Sequence, residues 1–322
     1  MAEAVLFNPS GDTTTEGTSK KIAFTTFGCK TNRFDTLTAI AGIDPEKVKI
    51  VSDQEPADVY IVNTCTVTMA AESEVHKAIR RHKKKNPSCK IMLMGCMVNT
   101  RHESEQMFPH VDYVHDSLKQ SDNASTAIAQ ALNDYRILSK NTFVSDFKNR
   151  SRAEINIQDG CNAKCSYCII PKARGFAKSR SFEEVQQQIL IAAEHYPEIV
   201  LTGIHLGMYG KDFEEQKNLP SLFRWIENEK SIHRVRISSF EPMKLADEII
   251  EIIGNSKKIC PHLHIPLQSG SDRILNLMRR TYTTKHYAKK IEKLRKFKPD
   301  ICLGTDIISG FPSETDEDHL QQ

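Results

Sequence analysis

No apolar stretch in these 322 residues approaches the roughly 18 needed to cross a bilayer as a helix. The longest, Ile91–Val98, is the size of a strand. The N-terminus lacks the basic start and apolar core of a secretory signal. It is polar and rich in Thr, Gly and Ser, and residues 1–20 are expected to form a disordered tail. There is no internal repeat, and no low-complexity segment beyond that tail. An excess of one charge is also missing. The 44 Lys and Arg face 41 Asp and Glu, a net +3, so the total does not argue for a polyanionic partner. A composition of 39% hydrophobic and 26% charged residues excludes collagen, coiled coil and bulk disorder. At roughly 150 residues per domain, the length predicts about two domains.

Acid is absent locally where base is dense. His76–Lys90 carries seven Lys or Arg and no acid, and Gly160–Phe182 carries five and none. Arg273–Lys298 carries ten against the single Glu292. Such blocks are either solvated helix faces or faces that meet a polyanion. Cysteine, by contrast, is plentiful: Cys29, Cys65, Cys89, Cys96, Cys161, Cys165, Cys168, Cys260 and Cys302. Without a signal peptide these imply a reducing compartment, where metal binding or catalysis outranks disulfides.

Residues 21–132 alternate short apolar runs with helical patterns. Strands are expected at Lys21–Phe27, Val48–Val51, Val59–Asn63, Lys90–Gly95 and Val111–Val114, and helices at 33–41, 69–85, 100–107 and 117–131. That alternation predicts an open parallel α/β sheet covered on both faces. Residues 133–152 have no clear period and read as a linker. A second α/β series follows over 153–322. Its strands are expected at 154–158, 198–203, 233–238, 261–265 and 299–306, and its helices at 182–195, 219–229, 244–254, 270–279 and 284–297. Repeated units of this length build an open sheet or a barrel.

The strongest local signal is Cys161-x3-Cys165-x2-Cys168, just past the first strand of the second series. Three thiolates on one loop can hold three corners of a 4Fe-4S cluster and leave the fourth iron open. Structural zinc would want four closed ligands, usually from two paired knuckles. One knuckle is present and no fourth ligand lies nearby, so the cluster is the stronger reading and zinc remains the alternative.

This spacing, with Tyr167 before the last Cys, resembles the radical S-adenosylmethionine (SAM) superfamily. Further motifs sharpen the resemblance: Phe27-Gly-Cys29-Lys-Thr-Asn32, Asn63-Thr-Cys65-Thr-Val-Thr68, Met94-Gly-Cys96, Gln158-Asp-Gly-Cys161, Pro171-Lys-Ala-Arg174-Gly175 and Ser179-Arg180-Ser181. Together, over residues 20–322, they resemble the methylthiotransferases. The resemblance implies an N-terminal α/β domain over 21–132 and a radical SAM (β/α)6-type partial barrel over 153–322. It implies two 4Fe-4S clusters, one on Cys161, Cys165 and Cys168 and an auxiliary one on Cys29, Cys65 and Cys96. Each of the latter three follows an expected parallel strand, and the carboxyl ends of such strands gather at one crevice. Cys89, Cys260 and Cys302 match no ligand position and are expected in the core. The motif variants, with Leu201-Thr-Gly-Ile-His-Leu-Gly-Met-Tyr-Gly210, resemble the branch acting on N6-threonylcarbamoyladenosine in tRNA.

Polar groups at the strand ends of a barrel are where ligands bind. By that rule SAM contacts are expected at Ser238, Glu241, Gln268 and Asp306, although ordinary strand-end capping would also place polar groups there, and the radical SAM resemblance implies Tyr167 and Gly203 as well. The glycines after Leu201 do not form a dinucleotide fingerprint. His262 and His264 share one strand face, but no matching His/Asp set follows, so a barrel-lining role outweighs metal. Arg174 and Arg180 are expected to meet phosphate or the auxiliary cluster. The implied function is SAM-dependent methylthiolation at adenine C2 next to the anticodon. The implied partners are tRNA, a low-potential electron donor of the flavodoxin or ferredoxin kind, and a sulfur donor; the implied location is the cytoplasm, with no membrane role. The rivals are another methylthiotransferase branch, acting on isopentenyladenosine or a ribosomal-protein aspartate, and a non-catalytic RNA-binding fragment stabilised by zinc or iron. After Gly310 the sequence starts a helix, with Ser313 or Thr315 as its cap, and then stops. Relative to the family it is expected to be C-terminally truncated, leaving the strand at 299–306 as an edge and the activity weakened.

Overall fold

The computed structural model describes residues 20–100, 109–118, 123–148 and 150–322. Residues 1–19 of the expected N-terminal tail and all but the first residue of the helix expected at 100–107 lie outside them. The chain divides into two compact units, Met1–Lys148 with Lys172–Arg174, and Asn149–Pro171 with Gly175–Gln322. No helix among the described residues is long and apolar enough to cross a membrane.

The first unit is a five-stranded parallel sheet of β1 (Lys21–Thr26), β2 (Lys49–Val51), β3 (Val59–Thr64), β4 (Lys90–Gly95) and β5 (Tyr113–His115), in the order β2-β1-β3-β4-β5. β3 is buried at every position, which is why its sequence is nearly all apolar rather than alternating. Tyr60 and Val62 enter one core with Val75 and Ile79, while Val59 and Ile61 enter another with Ile128 and Leu132. Helix α1 (Lys30–Ala41) follows β1, and α2 (Met69–Lys85) follows β3. The Thr68 hydroxyl caps α2 by accepting from Ala71 N–H at 3.1 Å. Lys83–Lys85 lie in its last turn, where positive charge suits the helix dipole. Helix α3 (Cys96–Thr100) continues directly from β4, and α4 (Ala124–Leu132) starts later than the 117 expected. Residues 133–148, aperiodic in sequence, pack on this unit: Ile137, Val144 and Phe147 are buried and Leu138 bridges to Ile43.

The second unit places β6 (Ala153–Asp159), β8 (Glu198–Gly203) and β9 (Arg234–Ile237) in parallel, with the two-residue β7 (Lys178–Ser179) antiparallel on the outer side of β6. A separate parallel pair, β10 (His262–His264) and β11 (Cys302–Gly304), connects to β9 through a bridge from Val235 to Ile259. Strands in chain order, with helices between them, make the wall of an incomplete barrel, as expected. The last two strands are shorter than expected. β10 lies between Pro261 and Pro266, which cannot donate to a ladder. Cys302, expected in the core, is exposed, because β11 pairs among the described residues with β10 alone. The intervening helices include the short α5 (Ile170–Arg174), α6 (Phe182–Ala193), α7 (Leu219–Asn228), α8 (Asp247–Asn255), α9 (Asp272–Leu277) and α10 (Thr284–Phe297). The last helix, α11 (Asp316–Leu320), is capped by Thr315 in a reciprocal box with Asp318.

Candidate functional site

In the first unit, Cys29, Cys65 and Cys96 follow the carboxyl ends of β1, β3 and β4, three adjacent strands. The register sets Thr64 opposite Gly95, so Cys65 and Cys96 leave the sheet level with one another. Gly28, at φ +97°, turns the chain toward Cys65; a Cβ there would lie 3.0 Å from the Cys65 Sγ. Asn32 is fully buried beneath them. Its Nδ2 donates to Phe27 O at 2.8 Å and Thr64 O at 2.9 Å, tying the two cysteine-bearing turns together. Its Oδ1 accepts from the Cys96 thiol at 3.6 Å. Arg174, whose segment belongs to this unit by its packing, donates through Nε to Cys96 Sγ at 3.3 Å. Its Nη2 donates to Asn32 and, at 2.8 Å, to Asp35. Burial pushes the Cys96 thiol up to about 11, against the pull of the Arg174 guanidinium. A thiol in that position needs a bound cation to stay deprotonated.

In the second unit, β6 delivers its chain into the loop of Cys161, Cys165 and Cys168, each part-exposed. Gly160, at φ +67°, lets the loop run against its return limb; a Cβ there would meet Phe176 O at 2.0 Å. Cys161 N–H donates to Gly175 O at 3.0 Å and closes the loop's base. Burial pushes the Cys161 and Cys168 thiols up. Groups on other elements meet the sulfurs. His205 Nδ1 lies 3.4 Å from Cys161 Sγ, and Arg280 Nη1 donates to Cys165 Sγ at 3.5 Å. His205 is held neutral, its pKa pulled down to about 4 by burial and then by Lys244 and Arg280. Its Nε2 is buried with no hydrogen-bond partner among the described residues. Also among the described residues, no three His, Cys, Asp or Glu are gathered around one point as a lone metal ion requires. A cubane takes its thiolates at separate corners, and the part-exposed loop thiols, with a cation and a polar ring turned toward them, suit it.

The residues expected to contact SAM each have local partners. Glu241 is gripped by Arg280 at 2.9 and 3.3 Å, and Tyr167 lies under the same guanidinium. Ser238 donates to Thr202 at 3.4 Å. Gly203 is hemmed in by Gln158 and Leu206; a Cβ there would lie 3.0 Å from Gln158 O and 3.2 Å from Leu206 Cδ2. Gln268 has φ +71° and bonds through its backbone to Asp306 and Ile308. The exposed Asp306 carboxylate lies 3.4 Å from His264 Nε2. His264 Nδ1 also meets Ser239 Oγ at 2.8 Å, so this histidine lines the strand ends as expected. In the second unit the Arg180 guanidinium donates to Asn156 O, on β6. The sequence reading missed His205, Arg280 and Asn32. Asn32 was visible as the last residue of a quoted motif, whereas Arg280 looked like one cation in a basic block.

Those basic blocks are largely engaged internally. Arg81 pairs with the buried Asp53 at 2.8 Å, Lys83 with Asp112 at 3.2 Å, and Lys85 donates to Asp53 O at 3.0 Å. Lys290 and Lys293 pair with Asp247 at 3.0 and 2.9 Å. Several members of a basic run are therefore matched by counter-charges from elsewhere in the chain, while Arg80 and Lys84 stay exposed.

Residues 155–321 match the radical SAM superfamily, and residues 21–116 match the Uncharacterized protein family UPF0004. The threonylcarbamoyladenosine tRNA methylthiotransferase MtaB of Bacillus subtilis is 38% identical over 319 residues, 93% of this chain and 69% of that protein. The tRNA-2-methylthio-N(6)-dimethylallyladenosine synthase of Lachnoclostridium phytofermentans is 36% identical over 92% of this chain and 68% of its own length. Among solved structures, the cobalamin-dependent SAM radical enzyme OxsB superposes with a TM-score of 0.61 at 11% identity. That match covers 90% of this chain and spans about half, 49%, of the OxsB chain, and it bears on the fold alone.

Proposed function

The chain belongs to the radical SAM methylthiotransferases, and from that premise we propose that it methylthiolates C2 of N6-threonylcarbamoyladenosine beside the anticodon of tRNA. In this reading Cys161, Cys165 and Cys168 hold the 4Fe-4S cluster that binds SAM, and Cys29, Cys65 and Cys96 hold a second cluster. When bound, these groups supply an organic radical able to break an unactivated C–H bond, together with the sulfur and methyl that replace the hydrogen. The residues of this chain position and shield. Asn32 locks the turns of Cys29 and Cys65 together. Arg174 sets a positive charge at Cys96. Gln158 and Gly160 hold the base of the SAM-cluster loop. Tyr167, Gly203, Ser238, Glu241, Gln268 and Asp306 remain the SAM-facing candidates, and Arg180, which donates to Asn156 O on β6, remains a substrate-side candidate. A base must leave its stack to reach such a centre, and an anticodon loop offers unpaired bases. The reaction also draws on a low-potential electron donor and a sulfur donor, and its substrate makes the cytoplasm its location.

The branch assignment rests on the motif variants and is supported by the 38% identity to the threonylcarbamoyladenosine enzyme of Bacillus subtilis over 93% of this chain. Two of the motif variants that carry it meet in space: Gln158, from Gln-Asp-Gly-Cys, accepts from the backbone N–H of His205, from Leu201–Gly210. The test is mass spectrometry of tRNA nucleosides from cells with and without the gene. Loss of 2-methylthio-N6-threonylcarbamoyladenosine is expected. Loss of the dimethylallyl derivative instead would move the protein to the other tRNA branch, and no change in either would overturn the assignment.

A further inference from the structure

Three groups meet the sulfurs of the loop of Cys161, Cys165 and Cys168. Ala163 N–H donates to Cys161 at 3.4 Å, His205 Nδ1 stands 3.4 Å from the same sulfur, and Arg280 donates to Cys165 at 3.5 Å. The first two are neutral, whereas Arg280 brings a whole charge. It is also immobilised. Its side chain is only 7% exposed, and its Nη1 and Nη2 reach the two Glu241 oxygens at 2.9 and 3.3 Å. The rings of Tyr167 and Tyr282 lie 5.9 and 5.7 Å from the guanidinium carbon. The loop itself is pinned beside it, since Ser166 donates through N and Oγ to Met278 O at 3.1 Å and Leu277 O at 2.9 Å. A buried guanidinium clamped between two rings and a carboxylate, with one edge on a cysteine sulfur, is a fixed electrostatic element and not a substrate tether.

We propose that the Arg280–Glu241 pair sets the reduction potential of the cluster carried by Cys161, Cys165 and Cys168, with Arg280 raising it and Glu241 holding it down. Arg280 is thus a positioning residue that acts through the Cys165 sulfur. The inference rests on the cluster assignment proposed above. Reduction adds one negative charge at the cluster, so a nearby cation favours the reduced form and a nearby anion disfavours it. Partial burial keeps both effects from being screened away. A pair that merely braced the loop would give the same result whichever partner were lost. A pair that sets the potential gives opposite results.

The experiment is an electron paramagnetic resonance redox titration of the reconstituted full chain, without SAM. It is made in a background in which Cys29, Cys65 and Cys96 are Ala, so that one cluster reports. Arg280→Gln is expected to shift the midpoint to lower potential, Glu241→Gln to higher potential, and the double variant back toward the parent. Arg280→Lys, which keeps the charge without the fork, should fall between Arg280→Gln and the parent. If Arg280→Gln does not retain iron, Glu241→Gln and Arg280→Lys carry the comparison: a rise in the first supports the proposal, and no shift in either overturns it. Midpoints that all move the same way, or none that move, would mean a bracing role only. A parent that binds no iron would overturn the cluster assignment and this inference together, whereas a normal cluster with unmoved potentials overturns this inference alone.

Discussion

Gln158 Oε1 accepts a hydrogen bond from the backbone N–H of His205 at 2.7 Å, joining the ends of β6 and β8 directly beneath Cys161. The same amide donates to Asp159 O at 2.6 Å and Gly160 O at 2.9 Å, and the side chain is fully buried. A buried amide with every bond made is costly to remove, because its partners are left unpaired away from water. Gln158→Ala is expected to lose about 1–3 kcal/mol of stability. It should also lose iron from the loop of Cys161, Cys165 and Cys168. Denaturant unfolding and iron analysis check this; full stability with full iron would remove the structural role.

The two cysteine sets predict a partition of iron. Two cubane sites imply about eight irons per chain. Replacing Cys161, Cys165 and Cys168 by Ala should remove about half, and replacing Cys29, Cys65 and Cys96 the other half. Anaerobic iron and sulfide analysis reads this directly. A second triple variant that keeps all its iron would show that the first unit holds no cluster. Cys165→Ala should in addition abolish conversion of SAM to 5′-deoxyadenosine and methionine in the reduced protein.

Neighbouring cations on α2 should separate. Asp53 is 1% exposed and receives Arg81 at 2.8 Å and the Thr25 hydroxyl at 3.0 Å. Arg81→Ala strips a buried carboxylate of its charge partner, with an expected loss of about 1–3 kcal/mol. Arg80→Ala, on an exposed face, should change stability by less than about 0.5 kcal/mol. If α2 meets RNA, charge reversal at Arg80 and Lys84 should flatten the salt dependence of tRNA binding without unfolding the protein. Filter binding over a salt series, beside unfolding curves, distinguishes the two effects.

Acid should weaken the first unit through His82. This ring is fully buried, stacks on Tyr60 at 4.0 Å and meets the Thr25 hydroxyl at 3.0 Å. Burial, then Arg81 and Lys85, pull its pKa from the ordinary 6.5 to about 3. The unfolded chain therefore binds a proton that the folded chain refuses between these values. The stability gained from neutral His82 is whole above pH 6.5 and declines as pH falls toward 3. His82→Gln should flatten that decline relative to the parent. Urea midpoints measured from pH 7 to 4 would show it, and parallel curves for the two proteins would rule it out.

The sequence alone carried the βα alternation, and with it the parallel sheets, because strand and helix periods and the buried all-apolar strands are local properties. It carried Cys29, Cys65 and Cys96 just past strand ends, the other three on one loop, and a helix start capped by Ser313 or Thr315, of which the folded chain uses Thr315. Only the folded chain decided which cations are free. Arg280 and Glu241 are 39 residues apart, Arg81 and Asp53 are 28, and nothing in a basic run marks which member has a buried carboxylate waiting elsewhere. The same holds for Asn32, whose amide touches Phe27 and Thr64 only because β1 and β3 lie side by side. The physical reason is range: hydrophobic period is written along the chain, whereas charge pairing and sulfur contacts depend on which strand ends the sheet brings together.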